Sequence, residues 1–210
     1  MKVLLLADDA SREEWLALPA AAGVQYQWLT APGTAPVHPD TEVCIDLLFE
    51  NTPERIQWFE QIRVPVVMIN SVLTTLADIG ENFIRINGWK TFLKRPVVEA
   101  ACTDAALKAR AEELFGILGR KIEWIPDIPG FITPRVVASI INEAWLALEE
   151  GVSDEEAIDT AMKMGTNYPY GPFEWGRKIG LQRVFLLLEA LSKKQERYTP
   201  AALLGEKILV

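Results

Sequence analysis

Short apolar runs alternate with helical stretches along the first half of the chain. A continuous apolar run bounded by polar or turn residues is typical of a strand that is buried on both faces of a parallel sheet. Such runs cover Lys2 to Ala7, Val24 to Thr30, Val43 to Phe49 and Val64 to Asn70. The stretches between them predict helices over Ser11 to Ala22 and Thr52 to Ile62. This alternation predicts a doubly wound α/β sheet.

The strand pattern continues for about another fifty residues. Strands are predicted over Phe83 to Trp89, Pro96 to Ala101 and Lys121 to Ile125. An amphipathic helix is expected to begin at Asp104 and to end before Gly119. We therefore predict a trimmed Rossmann-like domain over residues 1–127.

After residue 127 the apolar residues recur at helical spacing. We expect a helix to start at Thr133 and Pro134, because proline is favoured in the first helical turn, and to end at Gly151. Its apolar face consists of Val136, Val137, Ile140, Ile141, Ala144 and Leu148.

Two more helices are expected beyond Gly151. Ser153 and Glu156 have the spacing of a capping box, and Gly165 is expected to end the helix that they begin. The apolar stripe of this helix is Ala157, Ile158, Ala161 and Met162. A third helix follows the break at Gly171 and Pro172. These features predict an all-α domain over residues 128–210.

Composition narrows the class of protein. Half of the residues are hydrophobic, 24% are charged and the net charge is −8. An acidic chain is a poor partner for a phosphate backbone, so we expect no nucleic-acid binding. No apolar run approaches the roughly 20 residues of a membrane span. With a first strand predicted from Lys2, we expect no signal peptide. Cys44 and Cys102 lie in apolar runs, which indicates buried free thiols in a reducing cytoplasm.

Four motifs in the C-terminal part of the chain carry a family resemblance. They are Pro129-Gly130-Phe131, Asn142-Glu143-Ala144, Ile158-Asp159 with Ala161-Met162, and Gly171-Pro172-Phe173-Glu174. In order and spacing they resemble the C-terminal helical domain of the 3-hydroxyacyl-CoA dehydrogenase family. The resemblance implies a Rossmann-like domain with a helical domain that forms a homodimer, an acyl-CoA substrate and NAD as cofactor.

The turn after the first strand departs from the family's pattern. Dinucleotide-binding members have a Gly-x-Gly-x-x-Gly turn there, which lets the backbone approach the pyrophosphate at a helix N-terminus. Here Asp8 and Asp9 occupy that position, and no glycine lies between Ala7 and Arg12. The two carboxylates would repel phosphates, so we expect NAD to bind weakly or not at all, and to be the cofactor only if the family activity is retained. An aspartate in this turn can also simply cap the helix.

The resemblance assigns three residues to the family's catalytic positions. The family pairs a histidine with a glutamate, and these positions are Asn87 and Glu99 here; Thr74 falls on a serine position. An imidazole can accept the proton when a 3-hydroxyl is oxidised, whereas an asparagine amide can donate to a keto oxygen but cannot accept a proton. Glu99 is then either a remote base or a solvated carboxylate, and Thr74 either orients a substrate or only ends a strand.

Other positions bear on substrate binding. Lys90 stands where the family has an asparagine, and Pro134 replaces its substrate-side asparagine. Lys90, Lys94 and Arg95 form a basic cluster that either attracts the phosphates of a CoA thioester or is a solvated surface. The single histidine, His38, lies in a proline-rich loop, and we do not expect it to replace the missing imidazole. No pattern indicates a metal site.

Three hypotheses for the function follow. The first is a diverged family member that binds an acyl-CoA-type ligand with little or no NAD-dependent dehydrogenase activity. The second is an active NAD-dependent 3-hydroxyacyl-CoA dehydrogenase of fatty-acid metabolism with unusual catalytic groups. The third is a structural partner that dimerises with an active paralogue through the helical domain. The missing glycines and histidine favour the first hypothesis over the second.

Overall fold

The computed structural model describes residues 1–209, and the chain divides into two compact units. The first unit is Met1–Ile128 and the second begins at Pro129. This boundary lies one residue after the position at which the hydrophobic period changes in the sequence. Among the helices of residues 1–209, none is long and apolar enough to cross a membrane.

Residues 1–128 contain a seven-stranded sheet with the order β2-β1-β3-β4-β5-β6-β7. Neighbouring strands are parallel except for β5 and β6, which are antiparallel. The strands are β1 (Lys2–Leu6), β2 (Gln25–Leu29), β3 (Thr41–Asp46), β4 (Val66–Asn70), β5 (Ile84–Ile86), β6 (Val97–Ala101) and β7 (Lys121–Trp124). The prediction of a Rossmann-like, mostly parallel sheet is confirmed.

Helices cover both faces of this sheet, namely α1 (Asp9–Leu16), α2 (Pro53–Ile62), α3 (Leu76–Ile79) and α4 (Ala105–Ile117). Successive residues of a strand point to opposite faces. Leu5 therefore packs in one core with Trp15 of α1, whereas Leu4 packs in a second core with Phe59 of α2. Burial on both faces explains why β1 reads as an uninterrupted apolar run.

Helix α1 differs from its predicted extent. It begins at Asp9 rather than Ser11, because Asp8 caps it, and it ends at Leu16 rather than Ala22. Pro19 follows three residues after that end and offers no amide hydrogen for a further helical turn.

The candidate site lies at the carboxyl edge of the parallel strands. Strand β1 lies between β2 and β3, so the connections after β1 and β3 diverge and leave a crevice at this edge. Asp8 follows β1, Asn70 is the last residue of β4 and Asn87 follows β5. Two of the positions selected from the sequence, Asp8 and Asn87, thus lie along one edge of the sheet.

The second unit is helical, as predicted. It contains α5 (Thr133–Glu149), α6 (Glu155–Thr166), α7 (Pro172–Ile179), α8 (Leu181–Ser192), a 3-10 turn (Glu196–Tyr198) and α9 (Ala202–Lys207). Thr133 is the first helical residue of α5 and Pro134 the second, so Thr133 is not the residue before the helix. Gly180, with φ of 104°, separates α7 from α8, where a single helix was expected.

The capping box predicted for α6 is wrong. Asp154 precedes the helix, and its carboxylate accepts a hydrogen bond from the Ala157 amide at 2.8 Å. An aspartate caps as well as a serine, and its charge also interacts favourably with the helix N-terminus. The far end differs too: Asn167 adopts the left-handed conformation after Thr166, so Gly165 lies inside the helix.

The family motifs of this unit have structural roles, of which Asn142 is the first example. Its side-chain amide donates to the Thr199 carbonyl at 2.9 Å and accepts from the Ala201 amide at 2.8 Å. Asn142 is buried in α5, so it fixes the backbone that leads into α9.

Asp159 and Gly171 form a second structural contact. The Asp159 carboxylate, buried on α6, accepts hydrogen bonds from the Phe173 and Glu174 amides at the start of α7, at 2.8 and 3.0 Å. A Cβ at position 171 would lie 2.2 Å from Asp159 Cγ. The Gly-Pro-Phe-Glu turn therefore needs its glycine so that α6 and α7 can approach.

Candidate functional site

Asp8 occupies the N-terminus of α1. Its backbone is extended, and its carboxylate accepts a hydrogen bond from the Ser11 amide at 2.7 Å. The Lys90 ammonium lies 3.0 Å from the other carboxylate oxygen. Partial burial raises the pKa of Asp8, but the Ser11 amide and Lys90 together outweigh burial and hold that pKa below its usual value. Asp8 is therefore an ionised cap in an ion pair.

The residues at the start of α1 do not fit the pyrophosphate of a dinucleotide. A phosphate needs free amides and close backbone approach at this turn, whereas the Ser11 amide is taken by Asp8. The neighbouring space is also filled: Trp28 Nε1 donates to the Ala7 carbonyl at 2.8 Å, and the Arg12 guanidinium lies 3.8 Å from the centre of the Trp28 ring.

Asn87 and Glu99 meet at the end of β5, as the sequence comparison with the family implied. The antiparallel pairing of β5 with β6 places them opposite each other, and the Asn87 amide donates to the Glu99 carbonyl at 3.0 Å. The Asn87 side chain is buried, and its Nδ2 lies 3.4 Å from Glu99 Oε2. A carboxylate thus faces an amide donor, an arrangement that can hold a polar group but has no imidazole to take up a proton.

Asn70 also belongs to this site, although sequence reasoning missed it. Its Nδ2 donates to the Leu47 carbonyl at 3.1 Å and its Oδ1 accepts from the Gly88 amide at 3.0 Å. A Cβ at Gly88 would lie 2.7 Å from Asn70 Cγ. Asn70 thereby fixes the backbone next to Asn87. The signal in the sequence was a polar amide at the end of a buried apolar strand.

Thr74 lies in the loop that follows β4, and β4 is the neighbour of β5 in the sheet. The Ser71 hydroxyl donates to the Thr74 carbonyl at 2.8 Å, so the loop is closed by a serine that the sequence comparison did not select. Buried Arg85 on β5 donates to the Ser71 carbonyl at 2.9 Å and forms an ion pair with Asp127. This loop is therefore held in one shape, with the Thr74 side chain half-buried.

Lys90 pairs with Asp8, and the segment around it is bound to α1 and to the end of α4. The Glu14 carboxylate on α1 accepts from the amides of Thr91 and Leu93 at 2.8 and 3.1 Å. Arg120 donates to the Leu93 carbonyl at 3.1 Å. Residues 88–95, which we call the fastened segment, are thus connected to α1 at more than one point.

The end of β3 carries a second ion pair. Asp46 is fully buried, and Arg55 Nη1 lies 2.5 Å from its Oδ2. Burial raises the pKa of Asp46 to about 6, while Arg55 and the Leu48 amide act in the opposite direction. Asp46 and Arg55 therefore form a buried ion pair.

Two candidates from the sequence remain, Pro134 and His38. Pro134 is buried in the first turn of α5 in the helical unit and has no amide hydrogen to offer a substrate. His38 lies beside Lys2, whose Nζ is 2.6 Å from His38 Nε2, at the start of β1. That is the amino edge of the sheet, opposite the edge that carries Asn87, so His38 does not supply the missing imidazole. Residues 1–209 contain no group of three or more acidic, histidine or cysteine side chains that could hold a metal ion.

The sheet order, the crevice at its carboxyl edge and the helices that follow in sequence define a Rossmann-like protein with an all-α C-terminal domain. Residues 130–209 match the family model described as 3-hydroxyacyl-CoA dehydrogenase, C-terminal domain. This match confirms, for the C-terminal domain, the resemblance to the 3-hydroxyacyl-CoA dehydrogenase family inferred from the four motifs.

Individual relatives agree with this assignment. The chain is 49% identical over 94 residues to 3-hydroxyadipyl-CoA dehydrogenase of Escherichia coli, covering 44% of this chain and 20% of the relative. It is 34% identical over 137 residues to 3-hydroxybutyryl-CoA dehydrogenase of Bradyrhizobium diazoefficiens, covering 63% of this chain and 47% of the relative. The chain therefore spans less than half the length of these two relatives.

A solved structure shares the fold over almost the whole chain. The (S)-3-hydroxybutyryl-CoA dehydrogenase of Ralstonia eutropha superimposes with a TM-score of 0.75 at 20% identity, covering 99% of this chain and 93% of that one. At this identity the likeness concerns the fold alone.

Proposed function

We propose that this protein is a diverged 3-hydroxyacyl-CoA dehydrogenase relative that binds an acyl-CoA-type ligand and oxidises it with NAD slowly or not at all. The observation that carries the proposal is the pair of Asn87 and Glu99, 3.4 Å apart, at the position where the family has histidine and glutamate. The Asn87 amide can donate to a thioester-linked keto oxygen, but it cannot take the proton of a hydroxyl. The filled turn at Asp8 supports the loss of NAD binding.

The test is a calorimetric titration with acetoacetyl-CoA, with and without NADH, together with a spectroscopic assay of NADH turnover. We expect saturable binding of acetoacetyl-CoA, no enhancement by NADH and no turnover. Asn87→Ala should weaken binding about fivefold, the effect of one neutral hydrogen bond. Asn51→Ala, at an exposed asparagine before α2, is the matched control and should bind like the wild type.

The same measurements also test the alternative of an active enzyme. Turnover by the wild type that Asn87→Ala leaves unchanged would reject both the proposal and the position of the site. Turnover that depends on Glu99, measured with Glu99→Gln, would instead favour an active dehydrogenase that uses this carboxylate as its base. Absence of any acetoacetyl-CoA binding would reject the acyl-CoA ligand.

A second candidate function is structural pairing through the helical unit, as a homodimer or with an active paralogue. The supporting observation is an exposed apolar patch on α6. Ala157 and Ala161 of the predicted stripe are exposed while Ile158 and Met162 are half-buried, and Met164, outside that stripe, is 84% accessible. Exposed apolar faces of this kind mark association surfaces. Light scattering should report a dimer that Met164→Glu dissociates, whereas Val152→Glu, at an exposed position outside α6, should not; a monomeric wild type would reject homodimerisation.

The cellular compartment of the protein is also a proposal. Cys44 and Cys102 are buried free thiols, which supports a reducing compartment such as the cytoplasm. Alkylation of the native and unfolded protein in cell extracts would test this, because both thiols should react only after unfolding.

A further inference from the structure

The N-terminus of α1 is occupied by the chain's own carboxylate. Helix N-termini bind anions through free amides and a partial positive charge. In α1 the anion is Asp8, whose carboxylate accepts from the Ser11 amide at 2.7 Å. Dinucleotide-binding members of the family bind the cofactor's diphosphate at this turn. Here the Asp8 side chain occupies the same position at the helix N-terminus.

Lys90 completes the arrangement from the opposite side. Its ammonium lies 3.0 Å from Asp8 Oδ2. A cation near a helix N-terminus is unfavourable unless an anion lies between them. The order of helix amides, carboxylate and ammonium is the same as that of helix amides, phosphate and lysine in an anion site.

Lys90 keeps its place for reasons that do not involve Asp8. The flanking residues of the fastened segment are held by Glu14, which accepts from the Thr91 and Leu93 amides at 2.8 and 3.1 Å. Arg120 donates to the Leu93 carbonyl at 3.1 Å. Removal of the Asp8 side chain should therefore leave the backbone at Lys90 in place, with the ammonium within reach of the helix start.

We propose that Asp8 and Lys90 form an internal plug, which takes the place of a diphosphate group and keeps such a group out of the crevice. The plug accounts for the occupied helix N-terminus, whereas Trp28 and Arg12 fill the space next to it. It deepens the proposed function, on which it rests only for the expectation that the wild type does not bind NAD.

The test is calorimetric titration of inorganic pyrophosphate into matched variants. Asp8→Gly opens the helix amides and retains an acceptable N-cap residue. We expect it to bind pyrophosphate about tenfold more tightly than the wild type, as a charge-assisted hydrogen bond would provide. Asp9→Gly removes the same charge one residue later and should show no gain. Adding Lys90→Ala to Asp8→Gly should abolish the gain.

Several results would overturn the plug. They are equal binding by the wild type and Asp8→Gly, an equal gain in Asp9→Gly, or a gain that survives Lys90→Ala. If Asp8→Gly does not fold, as judged by circular dichroism, Asp8→Asn removes the charge that repels pyrophosphate but keeps the Ser11 amide capped. A gain smaller than that of Asp8→Gly is then expected over an Asp9→Asn control, and no gain over that control would overturn the plug. Because pyrophosphate carries no acyl group, these outcomes are independent of the acetoacetyl-CoA titration that tests the proposed function.

Discussion

The helical unit and the carboxyl edge of the sheet differ in how many of the family's motif residues they contain. In the helical unit the motif residues Asn142, Asp159 and Gly171 are all present. Each makes a hydrogen bond or a close packing contact within the unit. At the sheet edge Asn87 and Asp8 stand where we expect the family's histidine and glycine turn, and the strands that lead to them, β5 and β1, are both present. The motifs that identify the family are thus contacts that hold helices together, whereas the residues that define its chemistry lie elsewhere.

This difference has a physical cause. A helix pair in close contact needs one particular glycine or one particular carboxylate, so its pattern is specific. A central strand needs only apolar side chains on both faces, so the polar residue that follows it can change without cost to the sheet. The family resemblance and the proposed loss of catalysis therefore rest on different residues of the same chain.

The largest effect is expected at the contact between α6 and α7. Gly171→Ala would place a Cβ 2.2 Å from Asp159 Cγ, so the two helices must move apart. We expect a loss of about 2–3 kcal/mol in the free energy of unfolding, as for an overpacked core. Gly165→Ala, inside α6 with no atom within 4 Å of its Cβ, is the matched control and should be neutral or stabilising. Equal unfolding midpoints in urea for the two variants would contradict a structural role for the motif.

A smaller loss is expected at the sheet edge. Gly88→Ala would bring a Cβ within 2.7 Å of the Asn70 side chain, which can shift in part. We expect about 1–2 kcal/mol of destabilisation and weaker acetoacetyl-CoA binding, because Gly88 adjoins Asn87. Gly116→Ala in α4, where the new methyl group meets no atom within 4 Å, is the control. Unchanged ligand affinity in Gly88→Ala would mean that Asn87 does not contact the ligand.

The cap of α6 gives a third comparison within the helical unit. Asp154→Ala removes the acceptor of the Ala157 amide and should cost about 1 kcal/mol. Ser153→Ala, one residue earlier, should leave thermal unfolding unchanged, since Asp154 already provides the cap. A larger loss in Ser153→Ala than in Asp154→Ala would restore the capping box expected from the sequence.

The smallest effect concerns acid pH. The pKa of Asp8 in the folded protein lies below its ordinary value. Asp8 therefore contributes stability above that ordinary value, about 3.9, and this contribution is lost as the pH falls through the folded-state pKa. Because the side chain is 45% exposed, the contribution is below about 1 kcal/mol. Urea unfolding between neutral and acid pH should show a shallower decline in Asp8→Asn than in Asp9→Asn.

The fold could be predicted because its signals are local. Apolar runs located the strands, and the change to helical spacing after residue 127 located the second unit. The end of α1 and the division between α7 and α8 were missed, since Pro19 lies beyond a favourable helical stretch and Gly180 lies inside one. Each of these helix ends depends on one proline or glycine, and the helical pattern of the surrounding residues masks that signal in the sequence.

The site could be predicted only in part. The pairing of Asn87 with Glu99 followed from the family's spacing, because the antiparallel β5 and β6 bring residues at that spacing together. The pairing of Lys90 with Asp8 joins residues that are far apart in the sequence, and no spacing rule indicates it. Asn70 and Glu14 were missed for the same reason, since their importance lies in the backbone amides that they bind.

The buried Arg120 has a consequence for motion. Its guanidinium donates to the carbonyls of Trp15 at the end of α1 and of Leu93 in the fastened segment, and it lies 3.8 Å from the centre of the Trp15 ring. Burial lowers its pKa to about 10, yet it stays charged at neutral pH. Opening the fastened segment would remove the Leu93 carbonyl from this buried cation and leave it with fewer acceptors. The amides of Thr91 and Leu93, although they lie in a turn, should therefore exchange with deuterium as slowly as those of the central strands, in one cooperative unit with α1.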